Sequence, residues 1–307
     1  MSDTRHIAHA FYGSPWAIQQ AKLREIEGVI RSRFYVQAGD KRPRRIKPKP
    51  AAARGDEKPY LMSGSVAILR VFGTVSHRMN MFSEFSGGTS TELLARRLDQ
   101  AIADPDVASI MLDVDSPGGS VFGVPEMAAK LFEARKNKRI VAVSNDLMAS
   151  AAYWIGSAAT EIVMTPSGQV GSIGVYVLHE DVSAAADKAG VKVTPIYAGK
   201  YKVDGHPFEP LTESARADLQ GEVDWYYTQF VNAVARHRGT TPEAVRNGYG
   251  EGRALTADAA LAAKLVDRVA TFEAVLKEEV NKAAVTSNFG FAKARQAQLE
   301  AELDIAG

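Results

Sequence analysis

Ser150 lies in Met148-Ala149-Ser150-Ala151-Ala152-Tyr153, where an apolar run gives way to a helix-forming one, and Pro117-Gly118-Gly119 ends a similar apolar run earlier in the chain. A hydroxyl at a helix start sits beside unpaired backbone N–H groups and the positive end of the helix dipole. Two turn residues without a Cβ let their N–H groups point outward and approach a ligand closely. Together they suit acyl transfer: the hydroxyl attacks a carbonyl and the amides hold the oxyanion that forms. Such a hydroxyl needs a base. The histidines are His6, His9, His77, His179, His206 and His237. None lies in a clear acid–histidine setting, although His179 and His206 stay open. The alternative is a lysine kept uncharged in a dry site, since burial disfavours the ammonium form. Lys202 follows a strand-like run and a glycine, in a segment too polar to be core. Lys200 would face the same side on an extended backbone, so spacing alone does not choose between the two. Taken singly, each feature also has a plain structural use: an ordinary turn, a helix N-cap and a solvated charge.

The elements that must position these residues form a repeated unit over 110–150. The stretches 110–120 and 140–150 each begin with a short apolar β-type run, pass through small residues and open a helix, the first over 122–135 and the second over 150–159. Around them, Val66-Ala67-Ile68-Leu69-Arg70-Val71-Phe72 reads as a buried strand ended by Gly73. Thr89 with Glu92 makes a capping box for a helix over 90–103. Further strands are expected at 161–165, 171–177, 191–197 and 266–270. Helices are expected at 181–189, at 212–235 capped by Thr212, at 242–246, at 257–264 and from Phe272. Alternating strands and helices predict an α/β core with mostly parallel pairing.

Ahead of this core, Ser14 as N-cap and Pro15 at the first helical position predict a helix over 14–33, with Ile18, Leu23, Ile26, Val29 and Ile30 near helical spacing. Lys41-Arg42-Pro43-Arg44-Arg45 and the prolines that follow oppose both helix and sheet. The expected organisation is an N-terminal helical extension over 1–38, a basic linker over 39–60, a catalytic domain over 61–283 and a tail over 284–307. No aromatic residues are interleaved in the basic stretch, so it reads as a solvated tether and no nucleic-acid role is required. The 79–88 loop, rich in Met, Phe, Ser and Gly, is expected near the site.

Hydrophobic residues make up 46 % and charged residues 24 % of the 307 residues, which places the chain among ordinary globular proteins. A formal net charge of +1 gives no whole-protein attraction to nucleic acid or anionic membrane. The absence of cysteine excludes disulfides, thiolate metal sites and a cysteine nucleophile. No apolar run reaches the roughly 18 residues of a membrane span, and the start lacks a signal-peptide core. The expectation is a cytoplasmic protein with no membrane span.

Four segments taken in order carry a resemblance. Asp115-Ser116-Pro117-Gly118-Gly119-Ser120, Met148 to Tyr153, Val170-Gly171-Ser172-Ile173-Gly174-Val175, and Tyr197 to Pro207 resemble the signal-peptide-peptidase-A family of Ser–Lys proteases, over about 66–270. Lys202-Val203-Asp204-Gly205-His206-Pro207 and the N-terminal extension are more similar to the head maturation proteases of tailed phages. The resemblance implies a ClpP/crotonase-like α/β fold of repeated ββα units. By position it implies Ser150 as nucleophile, Lys202 as general base, and the N–H groups of Gly119 and Ala151 as the oxyanion hole. Gly118 and Ser172 would support the site, Ser172 by orienting the lysine, and Lys200 is an extra candidate base. It also implies no metal or other cofactor, protein substrates, phage head proteins among them, in the host cytoplasm or the prohead, and a ring-like homo-oligomer whose neighbouring subunits complete the sites. A bacterial signal-peptide-peptidase-like protease, a crotonase-like acyl-CoA enzyme and a non-enzymatic head protein on the same fold are the alternatives.

Overall fold

A computed structural model of the chain describes residues 14–34, 58–78 and 88–284. The basic linker, the 79–88 loop and the C-terminal tail lie outside the described residues, apart from 58–60, Gly88 and Ala284. In chain order the leading elements are β1 (Trp16–Ile18), α1 (Gln20–Phe34), β2 (Leu61–Ser63), β3 (Val66–Phe72), β4 (Thr74–Ser76), β5 (Gly88–Ser90), α2 (Thr91–Ala103), β6 (Ser109–Ser116), β7 (Gly118–Ser120), α3 (Val124–Ala134), β8 (Arg139–Ala149) and α4 (Ala151–Gly156). They are followed by β9 (Glu161–Met164), β10 (Gln169–Gly171), α5 (Ser183–Lys188), α6 (Glu213–Arg238), α7 (Pro242–Gly248), β11 (Ala254–Thr256), α8 (Ala257–Ala262), β12 (Arg268–Val269) and α9 over 272–284.

The main sheet is α/β in character. β3, β6 and β8 run parallel, with the β6/β8 register unbroken as far as Val114, and β8 then forks: Val141–Ser144 pairs with β9, while Leu147–Ala149 pairs with β10, also parallel. Period-two alternation decides the layers. Ala67, Leu69 and Val71 of β3, with Ile110, Leu112 and Val114 of β6, face the larger core formed with α2, α3, α4 and α6. Val66, Ile68, Met111, Val141, Val143 and Val163 face the other way, onto Val275 and Ala283 of α9. Both faces are covered, which is why these strands read as continuous apolar runs. Each fully buried Val, Ile or Leu contributes about 1.5–3 kcal/mol.

A second, smaller sheet of order β1-β7-β4-β5 stands where β3 and β6 end. Gly73, at φ +64°, turns β3 into β4, and Pro117 turns β6 into β7. The expected strand–turn–helix unit is thus a strand–strand–helix unit, because the Gly118–Ser120 turn itself pairs with β4 and β1.

Several expected boundaries move. Ser90, and not Thr89, caps α2 by accepting from Leu93 N–H; Thr89 is tied instead to both backbone groups of Phe72. Thr212 caps α6 as expected and Gly239 ends it in the left-handed conformation. The N-terminal helix starts at Gln20 and Ser14 does not cap it, since residues 16–18 are drawn into β1. The expected strand over 171–177 stops at Gly171 apart from a bridge at Tyr176. Residues 191–197 form no strand and stand exposed among the described residues. Among the described residues no helix is long and apolar enough to cross a membrane.

Candidate active site

Ser150 joins β8 to α4 at φ +56° and ψ −121°. A non-glycine residue there carries about 1–3 kcal/mol of strain and persists only where its surroundings fix it. They do: Ser150 N–H donates to Gly171 O at 2.7 Å, and Trp154 N–H donates to Ser150 O at 2.9 Å. All six residues of α4 are buried, and Trp154 stacks on Phe230 with ring centroids 4.5 Å apart. Ser150 occupies the N-cap position but makes no side-chain capping bond. Its hydroxyl oxygen is buried without a hydrogen-bond partner. A serine serving only as a cap would bond the N–H two or three residues on. This one is withheld from the helix.

The glycine turn is packed against it. A Cβ on Gly118, which has φ +95°, would lie 2.2 Å from Ala17 O, 2.9 Å from Ser150 Cβ and 3.0 Å from Ala149 O. A Cβ on Gly119 would lie 1.9 Å from Val75 O, inside the β4 backbone. Neither position accepts a side chain without the strands parting. Ser116 fixes the turn from below, its hydroxyl donating to Gly73 O at 2.6 Å and accepting from Gly118 N–H at 3.2 Å. Nothing in the sequence reading assigned Ser116 a role, although a serine two residues before a glycine amide is a recognisable turn signal. The β6/β8 register shifts between Val114 and Ser116, one step before the turn.

Ala151 follows Ser150 as the first residue of α4, so its N–H is among those a helix start leaves without an internal partner. Ser172 stands next to Gly171, which holds the Ser150 amide; it has φ +53°, and its own N–H donates to Arg253 O at 2.8 Å. Gly118, Gly119, Ser150, Ala151 and Ser172 are therefore gathered at the ends of β7, β8 and β10.

Lys202 is not brought to them within one chain. Its side chain is exposed, on a turn where Lys202 N–H donates to Gly199 O at 3.0 Å, and no hydrogen bond joins it to Ser150. Lys200 instead lies over the Tyr201 ring at 4.7 Å. The surrounding segment shows unusual apolar exposure: Ile196 is 98 % exposed, with Val191, Tyr197, Tyr201 and Phe208 also exposed.

Among the described residues the histidines give no base either. His206 contacts Glu209 at 3.3 Å and accepts from Phe208 N–H. The Nε2 of His179 is buried without a partner. His237 does meet a serine, with Nδ1 2.9 Å from Ser157 Oγ, but Ser157 caps the opposite end of α4 from Ser150. Ser157 also donates to Trp154 O. Burial, reinforced by Arg236, Arg135 and Arg238, pushes His237 down to about 3, so it is a neutral core residue stacked on Phe132.

The chain is 34 % identical over 227 residues to a head-tail preconnector protein of Enterobacteria phage P21, covering 74 % of this chain and 43 % of that protein. It is 31 % identical over 252 residues to capsid assembly protease C of Escherichia phage lambda, covering 78 % of this chain and 57 % of the relative. The chain thus spans about half the length of these curated relatives. Among solved structures it is similar to a ClpP1 mutant from Listeria monocytogenes, at a TM-score of 0.41 and 13 % identity, covering 68 % of this chain and 94 % of the other. The model of peptidase family S49 matches residues 133–286, which takes in the Ser150 junction, the Ser172 segment and the Lys202 turn, and the chain belongs to that family.

Proposed function

We propose that the protein is a serine endopeptidase in which Ser150 is the nucleophile, Lys202 the general base, and the N–H groups of Gly119 and Ala151 the oxyanion hole. The observation that carries the reading is the Ser150 hydroxyl itself: buried, without a partner, on a strained strand-to-helix junction and packed on a glycine that admits no Cβ. Unpaired buried polar atoms and local strain cost stability and cluster where chemistry uses them.

In this reading uncharged Lys202 takes the Ser150 proton as the oxygen bonds to a peptide carbonyl carbon. Backbone amides at the Gly118–Gly119 turn and the start of α4 hold the oxyanion. The ammonium then protonates the leaving amine, and water hydrolyses the acyl-enzyme by the same route. Lys202 arrives from a neighbouring copy. The exposed apolar residues at 191–208 are the surface that such an assembly would bury, and burial there would strip water from the ammonium and favour its neutral form. The substrates are proteins of a phage head, by likeness to relatives named for capsid assembly and head–tail connection.

The test incubates wild type and Ser150→Ala with candidate head proteins and reads cut sites by mass spectrometry. Processing by wild type alone is expected. Equal processing by both removes the endopeptidase reading, and failure of a serine-directed phosphonate to label Ser150 favours an acyl-CoA enzyme or a non-enzymatic head protein.

A further inference from the structure

Residues 15–19 run through the candidate site as an added strand. In β1, Ala17 faces Gly119 and Trp16 faces Ser120, antiparallel to β7. Gln19 N–H donates to Pro117 O at 2.7 Å, and Val121 N–H to Pro15 O at 3.5 Å. On the opposite edge Trp16 and Tyr176 exchange both backbone bonds, at 2.9 and 3.0 Å. The segment is thus gripped on both sides, as an extended peptide is gripped when it adds to exposed sheet edges.

The register decides what meets Ser150. Hydrogen-bonded pairs alternate along an antiparallel ladder. With bonds at 15/121 and 19/117, the bonded pair between them is 17/119, which sets the Ala17 carbonyl on the Gly119 amide. That carbonyl oxygen and Ser150 Cβ flank the space a single methyl on Gly118 would occupy, 2.2 and 2.9 Å from its centre. Trp16, Ala17 and Ile18 are 7 %, 0 % and 2 % exposed, so the groove encloses them.

We infer that residues 15–19 are the chain's own first substrate, filling the peptide groove in cis with the Ala17–Ile18 bond presented to Ser150 and excluding other peptides until that bond is cut. The inference rests on the endopeptidase reading and adds an occupant, a register and a cut site. Ser150 Oγ bonds to the Ala17 carbonyl carbon while its proton passes to the Lys202 amine. The carbon–nitrogen bond to Ile18 then breaks and the Ile18 nitrogen takes that proton. Water adds to the ester, freeing Ala17 as a carboxylic acid and restoring the hydroxyl. While Lys202 stays exposed, as in the single chain, the strand remains whole; assembly supplies the base and opens the groove. The fully enclosed Ala17 also sets a requirement for later substrates: a small side chain before the cut bond.

Freshly purified full-length protein is followed by intact-mass spectrometry and by hydrolysis of a fluorogenic peptide with Ala before the cut bond. The expected wild-type result is a lag that ends as chains beginning at Ile18 accumulate. Ile18→Pro should keep its N-terminus. A tethered competitor at an effective concentration of about 1 mM then holds turnover of a peptide supplied at about 50 μM roughly twenty-fold below the final wild-type rate. Ala17→Arg cannot seat in the enclosed position, so it should show no cut at 17 and no lag. An uncut wild-type N-terminus with lag-free turnover, unchanged in both variants, overturns the inference and leaves the endopeptidase reading standing. No turnover and no phosphonate label on Ser150 in any chain overturns the endopeptidase reading itself.

Discussion

Removing the Ser150 side chain should stabilise the protein, and the size and order of the effect separate a nucleophile from a helix cap. A capping serine replaced by Ala costs about 0.5–2 kcal/mol and by Gly a few tenths, so capping predicts Ser most stable, then Gly, then Ala. Ser150 makes no capping bond, and its hydroxyl is buried and unpaired. Ala removes that unpaired oxygen, a relief of about 1–3 kcal/mol, and leaves the backbone strain in place. Gly also relieves about 1–3 kcal/mol of strain at φ +56°. Against this it loses about 0.8 kcal/mol for the buried methylene and about 0.4–1 kcal/mol to the freer unfolded chain. Ser150→Ala should therefore exceed Ser150 by about 1–3 kcal/mol and Ser150→Gly by about 0.2–5 kcal/mol, with about 2–4 °C in Tm per kcal/mol for a domain of this size. The assay is urea and thermal unfolding by circular dichroism at one protein concentration. It is run in a Lys202→Ala background so that no neighbouring amine bonds the hydroxyl. A Ser150→Ala variant about 1 kcal/mol less stable than its parent, with Ser150→Gly between them, would refute the reasoning.

Three further perturbations follow from the same geometry. Gly119→Ala drives a methyl into the β4 backbone, where Val75 O would be 1.9 Å away; strand β7 must move, and the lost oxyanion donor should lower kcat by about 10²–10³ while KM changes less, so an unchanged kcat counts against Gly119. Lys202→Ala should abolish turnover with its circular dichroism unchanged, and mixing it with Ser150→Ala should restore up to roughly one quarter of wild-type turnover if neighbouring copies share each dyad; no restoration would return the base to the same chain, to Lys200 or to a histidine. His237 sits at about 3 against an ordinary 6.5, so the unfolded chain binds the extra proton between these values. Stability is then full above pH 6.5 and falls as pH drops below it, by up to about 1.4 kcal/mol per pH unit; urea midpoints at pH 7 and pH 5 should differ less in His237→Leu than in wild type.

The parts of the site that could be read from the sequence are those whose geometry is local. Gly118-Gly119 behind Pro117 announces amides free to face outward, and Ser150 between the apolar end of β8 and the small residues of α4 announces a strand-to-helix junction. The tight turn and the junction are both present because a few consecutive residues determine them, although the Gly118 N–H is turned onto the Ser116 hydroxyl and Gly119 is paired with Ala17. The same local logic failed at Ser14-Pro15, which is a good helix start by composition yet lies just outside a strand. The unpaired edge of β7 and the backbone of Tyr176 are more than a hundred positions away in sequence, and together they offer residues 15–19 more hydrogen bonds than a first helical turn would. Lys202 fails to close for a related reason. Val191-Lys192-Val193-Thr194 has the alternation of a half-buried strand, but among the described residues nothing buries Val191, Val193 or Ile196, so they stand exposed ahead of the lysine. The strand that is present where none was expected lies along the glycine turn beside Ser150, and the strand that is missing where one was expected precedes Lys202. A neighbour that organises residues 191–202 would deliver the base to a groove that β1 already fills, which couples assembly to the first cut. In the proposed reading such coupling would give the strained, unpaired hydroxyl a use for its cost, idle in the free chain and reactive only in an assembled one.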